Sequence, residues 1–263
     1  MKDNRSLFKK KLAALKHYYL WFKASANLEL ILVSEFPKSG GTWYCQMLSH
    51  YLQLPYPRNR TPRMEKSVLH GHYYFASSFN KPVCVLRDGR DALVSYYHHM
   101  YFGNSILPER VFEKYRSTAP FKDFQNVEGN LPAYIEYMFT KYRLSGRFFS
   151  WTGFVNSFWN NPNVVFVKYE DLLVDPANAL GTSIKQLMQV EINNDLLKTA
   201  VDKYSFQSLT QREPGEENKK DFLRKGIAGD WKNYFTKEAC EVFNHYAGNE
   251  LVLLGYEKNK NWY

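Results

Sequence analysis

Residues 28–54 read LELILVSEFPKSGGTWYCQMLSHYLQL, and this stretch decides the fold. Its opening apolar run predicts a buried strand, and its last ten residues have the composition of a helix. Between them lies FPKSGGTW, in which Gly40 and Gly41 allow the backbone to turn tightly and to approach an anion. Lys38 adds a positive charge, and the helix that follows points free N–H groups at a bound phosphate. Because the lysine precedes the glycines, the loop is not a Walker A loop. Taken alone, it could also be a basic turn.

Two further segments carry the same kind of chemistry. PVCVL at residues 82–86 predicts a second strand, and Arg87 at its end and Ser95 on the next helix could reach one phosphate. Near the C-terminus, FLRKGIAGDWK at residues 222–232 is a basic loop bracketed by glycines. Its Arg224-Lys225-Gly226 core offers a guanidinium fork and approachable backbone N–H groups. Each segment alone could be a charged surface loop.

Together the three segments resemble the signatures of the cytosolic-type sulfotransferases, which use 3′-phosphoadenosine 5′-phosphosulfate (PAPS). The first signature, Pro-Lys-Ser-Gly-Thr-Thr-Trp, matches residues 37–43 with Gly41 in place of a threonine. The second places a serine eight residues after an arginine, as Ser95 follows Arg87, and the third matches residues 222–232 completely. The resemblance implies an enzyme that moves the sulfuryl group of PAPS to a hydroxyl or amine acceptor by in-line transfer. It would release adenosine 3′,5′-bisphosphate (PAP).

The resemblance also assigns residues to the donor. The family's tyrosine before Glu-Asp at the adenine pocket corresponds to Tyr169, and its second stacking aromatic corresponds to Phe206. Family sequences have threonine where this chain has Tyr204, which leaves the contribution of that position open. The implied donor-binding set is Lys38, Ser39, Gly40, Gly41, Thr42, Trp43, Arg87, Ser95, Tyr169, Ser205, Phe206, Phe222, Arg224, Lys225 and Gly226.

The resemblance implies Lys38 and His72 as the catalytic residues. Lys38 would stabilise the leaving phosphate, and a neutral histidine can take the acceptor's proton at neutral pH. A family Lys-Ser/Thr-His triplet aligns with HGH in this chain, which puts His72 on the catalytic histidine and His70 where the family has a lysine. From the residues alone either histidine could be structural, and His98 and His99 compete for the same role.

The acceptor is the least specified part of the prediction. Aromatic side chains near the expected reaction centre could bind a phenol, a lipid headgroup or a sugar ring, and we expect contributions from His70, Tyr73, Tyr97 and Tyr101. The polar segment at residues 104–128 is expected to form a substrate lid. Its polarity favours a hydroxylated acceptor such as a glycan or glycolipid, with a phenolic acceptor as the alternative.

Strand and helix patterns alternate along the chain, which predicts an α/β fold. We expect one three-layer domain with a central parallel sheet and a P-loop-like strand–loop–helix that binds phosphate. NVVFVK at residues 163–168 predicts a third strand, and residues 134–159 predict a helix. Residues 28–263 would form the catalytic domain, and residues 1–27 a basic amphipathic helix.

The N-terminal helix has an apolar stripe among lysines, made of Phe8, Leu12, Leu15, Tyr19 and Phe22. Packing of this stripe on the catalytic domain is the default expectation. Peripheral contact with a membrane, or with a partner protein, through residues 7–23 is the alternative.

Charge alone does not select a function. The formal net charge of +9 suits a polyanionic donor, but it would equally suit nucleic acid or an anionic membrane. Two other classes therefore stay open. A P-loop-like small-molecule kinase would need a lysine after the glycines and an acidic Mg²⁺ ligand, and a noncatalytic nucleotide or nucleic-acid binding protein would show steep salt dependence. We expect no specific nucleic-acid partner.

Cysteine spacing and hydropathy set the remaining expectations. Cys45, Cys84 and Cys240 are widely spaced in apolar segments, which predicts reduced core thiols, and no Cys/His spacing predicts a metal site. The chain shows no signal-peptide pattern and no long apolar run, so we expect a cytoplasmic protein, with membrane association as the alternative. Lys237 replaces the valine of a family dimerisation motif, which leaves the oligomeric state open.

Overall fold

The computed structural model describes residues 7–58, 60–102 and 107–263. The strands are β1 (Ile31–Glu35), β2 (Val68–Gly71), β3 (Val83–Leu86), β4 (Arg143–Leu144), β5 (Arg147–Phe148) and β6 (Val165–Lys168). Four of them form a parallel sheet in the order β2, β1, β3, β6, in which Ser34 pairs with both Gly71 and Cys84. β4 and β5 form a separate antiparallel hairpin.

Helices surround the sheet. They are α1 (Leu7–Tyr19), α2 (Gly41–Leu52), α3 (Gly89–Tyr101), α4 (Glu109–Thr118), α5 (Val127–Thr140), α6 (Trp151–Phe158), α7 (Tyr169–Val174), α8 (Pro176–Met188), α9 (Asn194–Lys203), α10 (Phe206–Thr210) and α11 (Lys237–Leu253). A π-helical turn (Leu20–Ala24) extends α1, and a 3₁₀ turn (Asp230–Asn233) precedes α11.

Alternate residues of the buried strands face opposite sides of the sheet. In β3, Val83 and Val85 pack with residues of α2, α8 and α9. Cys84 and Leu86 pack on the other side, with residues of α3, α5, α6 and α11. The sheet thus lies between two helical layers, and the predicted three-layer α/β fold with a central parallel sheet is confirmed.

The parallel arrangement brings the predicted functional segments to one edge. The phosphate loop follows β1, Arg87 follows β3, Tyr169 follows β6, and the two histidines lie at the end of β2. The carboxyl ends of parallel strands meet at the same edge of a sheet, which is where α/β proteins bind ligands.

One predicted helix is wrong. The segment expected to be helical over residues 134–159 is divided by the β4–β5 hairpin. Ser145 and Gly146 both have positive φ, +52° and +83°, which gives the two-residue turn of a tight hairpin. α6 then starts afresh, because Ser150 caps it by accepting a hydrogen bond from the Gly153 N–H. The expected lid segment contains α4, while residues 103–106 lie outside the described residues.

The N-terminal segment packs on the domain through one face only. Leu20 and Trp21 are fully buried in the core, and Ala13 is buried as well. Of the predicted stripe, only Phe22 packs on the domain, with its ring 5.3 Å from those of Tyr73 and Phe79. The other four residues point away from the domain: Phe8, Leu12, Leu15 and Tyr19 are 75%, 53%, 68% and 51% exposed. Among the described residues, no helix has the length and apolar character needed to cross a membrane. The three cysteines are buried and unpaired by disulfides.

Candidate active site

The phosphate loop turns at residues with left-handed backbone angles. Lys38 has φ +72° and Gly40 has φ +94°. A Cβ atom on Gly40 would lie 2.5 Å from Cδ2 of Tyr169, so the ring of Tyr169 closes directly against the loop. Glycine at residue 40 is therefore required by both the backbone angle and this contact.

The loop borders a cavity that opens to solvent. Most of the residues predicted to bind the donor line its wall, namely Lys38, Gly40, Thr42, Trp43, Arg87, Ser95, Tyr169, Phe206, Phe222, Arg224, Lys225 and Gly226. Ser39, Gly41 and Ser205 do not belong to the described wall. Ser39 is buried, and Ser205 caps α10 by accepting a hydrogen bond from the Ser208 N–H.

Several cations of the cavity retain unused donors. Arg87 donates from Nη1 to the Lys38 carbonyl at 3.0 Å and from Nη2 to the Ile227 carbonyl at 3.1 Å, while its buried Nε has no hydrogen-bond partner among the described residues. The same holds for Nε of Arg224 and Oγ of Ser39. Buried polar groups are normally paired, so these atoms fit a site for phosphate groups.

Carboxylates hold the third basic loop in place. Asp91 on α3 accepts hydrogen bonds from the backbone N–H groups of Gly229, at 2.6 Å, and Trp231, at 2.9 Å. Asp230 pairs with Arg224 and with Lys225, the latter at 2.6 Å. Burial alone would raise the pKa of Asp230, but the hydrogen bonds from both cations lower it to about 2. The loop is therefore fixed against α3 as an ion-paired unit.

Aromatic rings form another part of the wall. The guanidinium carbon of Arg87 lies 4.3 Å from the centre of the Tyr169 ring, and Trp43 meets the same ring edge-on at 6.1 Å. Trp43 Nε1 donates to the Tyr204 carbonyl at 2.7 Å, which fixes the indole plane. Phe206 packs directly against Gly226, where a Cβ atom would lie 2.5 Å from the ring. Flat apolar surfaces of this kind suit a purine base.

Lys38 lies deep in the cavity. Its ammonium group donates to the Phe222 carbonyl at 2.8 Å and lies 3.8 Å from the centre of the Phe222 ring. Burial, together with the charges of nearby arginines, lowers the pKa of Lys38 to about 7, although Glu35 opposes the shift. A bound anion would favour the charged form of Lys38.

The two histidines at the end of β2 meet Glu35, the last residue of β1. His72 Nδ1 donates to the Glu35 carbonyl at 3.0 Å, which leaves Nε2 as the acceptor nitrogen. His70 Nε2 lies 2.9 Å from the Glu35 carboxylate, and the rings of the two histidines are 5.1 Å apart. Burial lowers the pKa of His72, with help from the charge of His70, so its neutral form prevails near pH 7. A neutral histidine held by a backbone carbonyl is suited to act as a general base.

The side-chain ligand atoms of Glu35, His70 and His72 lie within 4.8 Å of one another, close enough for a metal ion. However, Glu35 and His70 already hydrogen-bond each other, and His72 is held by a carbonyl. We treat the three as an acid–base cluster and assign no metal to them.

A protein-family model described as the sulfotransferase domain matches residues 54–255. The chain belongs to the sulfotransferase family. Among curated proteins, dog sulfotransferase 1B1 is 24% identical over 261 residues, covering 81% of this chain and 80% of that protein. Rat sulfotransferase 1E1 is 26% identical over 275 residues, covering 84% and 83%. The predictions of the family and of an enzyme are confirmed.

Solved sulfotransferase-like structures share the fold. A mouse sulfotransferase, SULT7A1, complexed with PAP has a TM-score of 0.56 at 17% identity and covers 84% of each chain. Retinol dehydratase in a complex with retinol and PAP has a TM-score of 0.60 at 16% identity, covering 92% of this chain and 86% of the other. PAP is the product that PAPS leaves after transfer, and the predicted use of PAPS agrees with these complexes.

The sulfotransferase does not gather all the residues expected to contact an acceptor. Tyr97 and Tyr101 are 0% and 1% exposed and lie in the core, where the Tyr97 hydroxyl donates to the Phe124 carbonyl at 3.0 Å. Tyr73 is half-buried beside α1, and its backbone N–H donates to Ser34. Of the four predicted acceptor residues, His70 is the one whose ring belongs to the acid–base cluster with Glu35 and His72.

Glu35 was not considered for the site from the sequence, and His99 was named only as a competitor for the role of base. The ring of His99 lies 6.0 Å from that of Phe222, and burial lowers its pKa to about 3, with the charges of Lys38 and His72 adding to the shift. Glu35 is the last residue of β1. An acidic residue three positions before the lysine of an anion-binding loop was a usable signal.

Proposed function

We propose that this sulfotransferase moves the sulfuryl group of PAPS to a hydroxyl group of a small acceptor, with Lys38 and His72 as its catalytic residues. The observation that carries the proposal is that Glu35 interacts with both of them. Glu35 ends the strand that leads into the phosphate loop, its charge acts on Lys38, and its carbonyl holds His72. A cation for the leaving phosphate and an oriented neutral base are thus both tied to one residue.

The cavity offers a place for each part of the donor. Arg87, Ser95 and residues 224–226 would bind the 3′-phosphate, because unused guanidinium donors lie there. Residues 38–42 would hold the 5′-phosphate at the start of α2, with the buried Ser39 hydroxyl as an additional donor. Trp43, Tyr169 and Phe206 would enclose the adenine, with Ser205 and Phe222 supporting the wall.

The transfer itself follows from these positions. His72 Nε2 accepts the proton of the acceptor hydroxyl as the acceptor oxygen forms a bond to sulfur. The bond between sulfur and the bridging phosphate oxygen breaks, and Lys38 stabilises the charge that develops on that oxygen. The products are the sulfated acceptor and PAP, and the proton remains on His72 until solvent removes it.

For the acceptor we propose a small hydroxylated molecule, and we retain glycans, glycolipids and phenols as the classes to compare. Support comes from the aromatic ring of Phe222, which lies 3.8 Å from the Lys38 ammonium group and 6.0 Å from the ring of His99. The decisive experiment is a labelled-PAPS transfer screen across phenols, steroids, retinol-like alcohols, glycans, glycolipids and peptides. Failure of every acceptor, with PAP binding intact, would limit the proposal to donor binding.

The same screen should be preceded by a thermal-shift comparison. A sulfotransferase should be stabilised more by PAP than by ATP or adenosine 5′-monophosphate (AMP), because only PAP carries the 3′-phosphate. A kinase should prefer ATP with Mg²⁺. A noncatalytic nucleic-acid binding protein should ignore all three nucleotides and bind oligonucleotides with steep salt dependence.

We further propose that α1 contacts the surface of an anionic membrane and that the protein works in the cytoplasm. The exposed stripe of Phe8, Leu12, Leu15 and Tyr19 lies opposite Ala13 and His17, which face the domain. Lysines flank the stripe, and residues 7–28 contain no acidic residue. A helix with an apolar face between lysines fits an anionic bilayer, whereas two copies of it would repel.

Vesicle sedimentation tests this contact. Leu12→Ser/Leu15→Ser should lower binding to phosphatidylserine-containing vesicles by about tenfold or more, because burial of each leucine is worth about 1.5 to 3 kcal/mol. Val174→Ser, at an apolar residue that is 87% exposed, is the matched control and should bind as the wild type does. If Leu12→Ser/Leu15→Ser binds vesicles as tightly as Val174→Ser and the wild type do, α1 is excluded as the contact.

A further inference from the structure

Glu35 is the one acidic residue on the described wall of the donor cavity. Its side chain is 5% exposed. Burial would raise the pKa of this carboxyl, but the hydrogen bond from His70, the charges of both histidines and the Gly41 N–H together hold it below its usual value. The carboxylate is therefore ionised at neutral pH. An ionised carboxylate repels a polyanionic ligand, so its presence here requires a physical reason.

The contacts of Glu35 supply that reason. One carboxylate oxygen accepts the Gly41 N–H at 2.6 Å, and the other lies 2.9 Å from His70 Nε2. A Cβ atom on Gly41 would lie 2.8 Å from Cδ of Glu35 and 2.8 Å from Nε2 of His70. The family's threonine at residue 41 would therefore collide with the pair. Glycine at 41 and histidine at 70 are two of the departures from the family motifs, and Glu35 contacts both of them.

This inference rests on the proposed transfer from PAPS. We propose that His70 carries the positive charge that cancels the negative charge of Glu35 beside the sulfuryl group. Glu35, Gly41 and His70 together then take the place of the lysine that the family has at residue 70. With His70 as imidazolium the pair has no net charge, and with His70 neutral it has a charge of −1. The neutral pair admits an anionic sulfuryl group, whereas the charged pair repels it. Glu35 is then a positioning residue that holds the imidazolium in place.

The surroundings leave few other groups able to cancel this charge. The titratable groups that interact with Glu35 or His70 are His17 of α1, Cys45 of α2, Tyr56, His72 and Lys38. Burial, the largest cause in each case, lowers the pKa values of His17 and His72 and raises those of Cys45 and Tyr56. These four are neutral near pH 7. Lys38 is the remaining cation, and it is required by the leaving phosphate.

A cycle of glutamine variants tests the proposal by calorimetry near neutral pH. His70→Gln keeps an amide donor for Glu35 but removes the charge, and we expect it to weaken PAPS binding by about 10- to 100-fold. The loss for PAP should be smaller, because PAP lacks the sulfuryl group. Glu35→Gln alone should leave PAPS affinity within a few-fold of wild type. The double variant Glu35→Gln/His70→Gln should recover most of the affinity lost by His70→Gln.

A second variant and a matched control separate charge from folding. His70→Lys supplies a fixed cation and should bind PAPS at least as tightly as the wild type. The exposed pair of Lys66 and Glu29, with its atoms 2.5 Å apart, is the control: Glu29→Gln/Lys66→Gln should not change PAPS affinity. Thermal unfolding of each variant verifies the fold.

The outcomes are distinct. Recovery in the double variant supports cancellation of charge, because two independent losses would add. A double variant as weak as His70→Gln, or a His70→Gln variant that binds PAPS normally, would overturn the inference. Failure of the wild type to bind either PAPS or PAP would instead refute the proposed function, which keeps the two failures apart.

Discussion

Removal of the Arg87 guanidinium should separate recognition of the 3′-phosphate from the rest of donor binding. Arg87 uses both terminal nitrogens on the carbonyls of Lys38 and Ile227, and its buried Nε is unused among the described residues. A charge-assisted hydrogen bond to a shielded phosphate is worth about 1.5 to 3 kcal/mol. Arg87→Ala should therefore weaken PAP by about 10- to 150-fold for one such bond.

The loss of the two carbonyl contacts would affect any nucleotide, because they hold the backbone of the phosphate loop and of the third loop. AMP, which lacks the 3′-phosphate, measures this general effect. Calorimetric titrations of wild type and Arg87→Ala with PAP and AMP give the difference that belongs to the phosphate. Arg63→Ala, at an exposed arginine outside the cavity wall, controls for the change in net charge. Equal losses for PAP and AMP would refute the assignment of Arg87 to the 3′-phosphate.

Three further variants address the chemistry and the loop. His72→Ala should keep PAPS binding and lose about two to four orders of magnitude in single-turnover transfer. Because the base must be neutral and burial lowers its pKa, the acid limb of the wild-type pH–rate profile should lie below about pH 6.5, and a limb above that value would contradict the assignment. Lys38→Ala should reduce turnover and PAPS affinity together, since its charge contacts the donor before and during transfer, and normal affinity would argue against this role. Gly40→Ala should weaken PAP binding or lower stability by more than about 1 kcal/mol, because of its φ of +94° and the contact with Tyr169, and an unchanged melting temperature and affinity would refute that reasoning.

Local patterns were sufficient to predict the phosphate loop and its partners. A run of strand-forming residues followed by glycine and helix formers determines a strand–loop–helix with little help from the rest of the chain. The strand predicted at residues 82–86 is β3, which begins one residue later at Val83. Once three strands are parallel, their carboxyl ends must share an edge, so Arg87 and Tyr169 had to approach the loop.

Tertiary contacts account for what the sequence did not reveal. Glu35 and His70 are 35 residues apart, and their pairing depends on the register of β1 against β2, in which Ser34 lies opposite Gly71. The sequence also does not reveal the location of aromatic side chains, because Tyr97 and Tyr101 could have lined a pocket or filled the core. The face of α3 that carries them packs against Phe121 and other aromatic rings, so they became core.

The charges of the cavity are unequal in their availability to a ligand. Arg224 is bound to both Asp230 and Glu217, and Lys225 is bound to Asp230. These pairs place the third loop, but they also use much of the positive charge before a donor arrives. The nearest carboxylate to Arg87 is that of Asp91, 3.8 Å away, which itself accepts two backbone N–H groups. The charge of Arg87 is therefore the least compensated of the three. Discrimination between nucleotides with and without the 3′-phosphate should depend more on Arg87 than on the loop that carries Arg224 and Lys225.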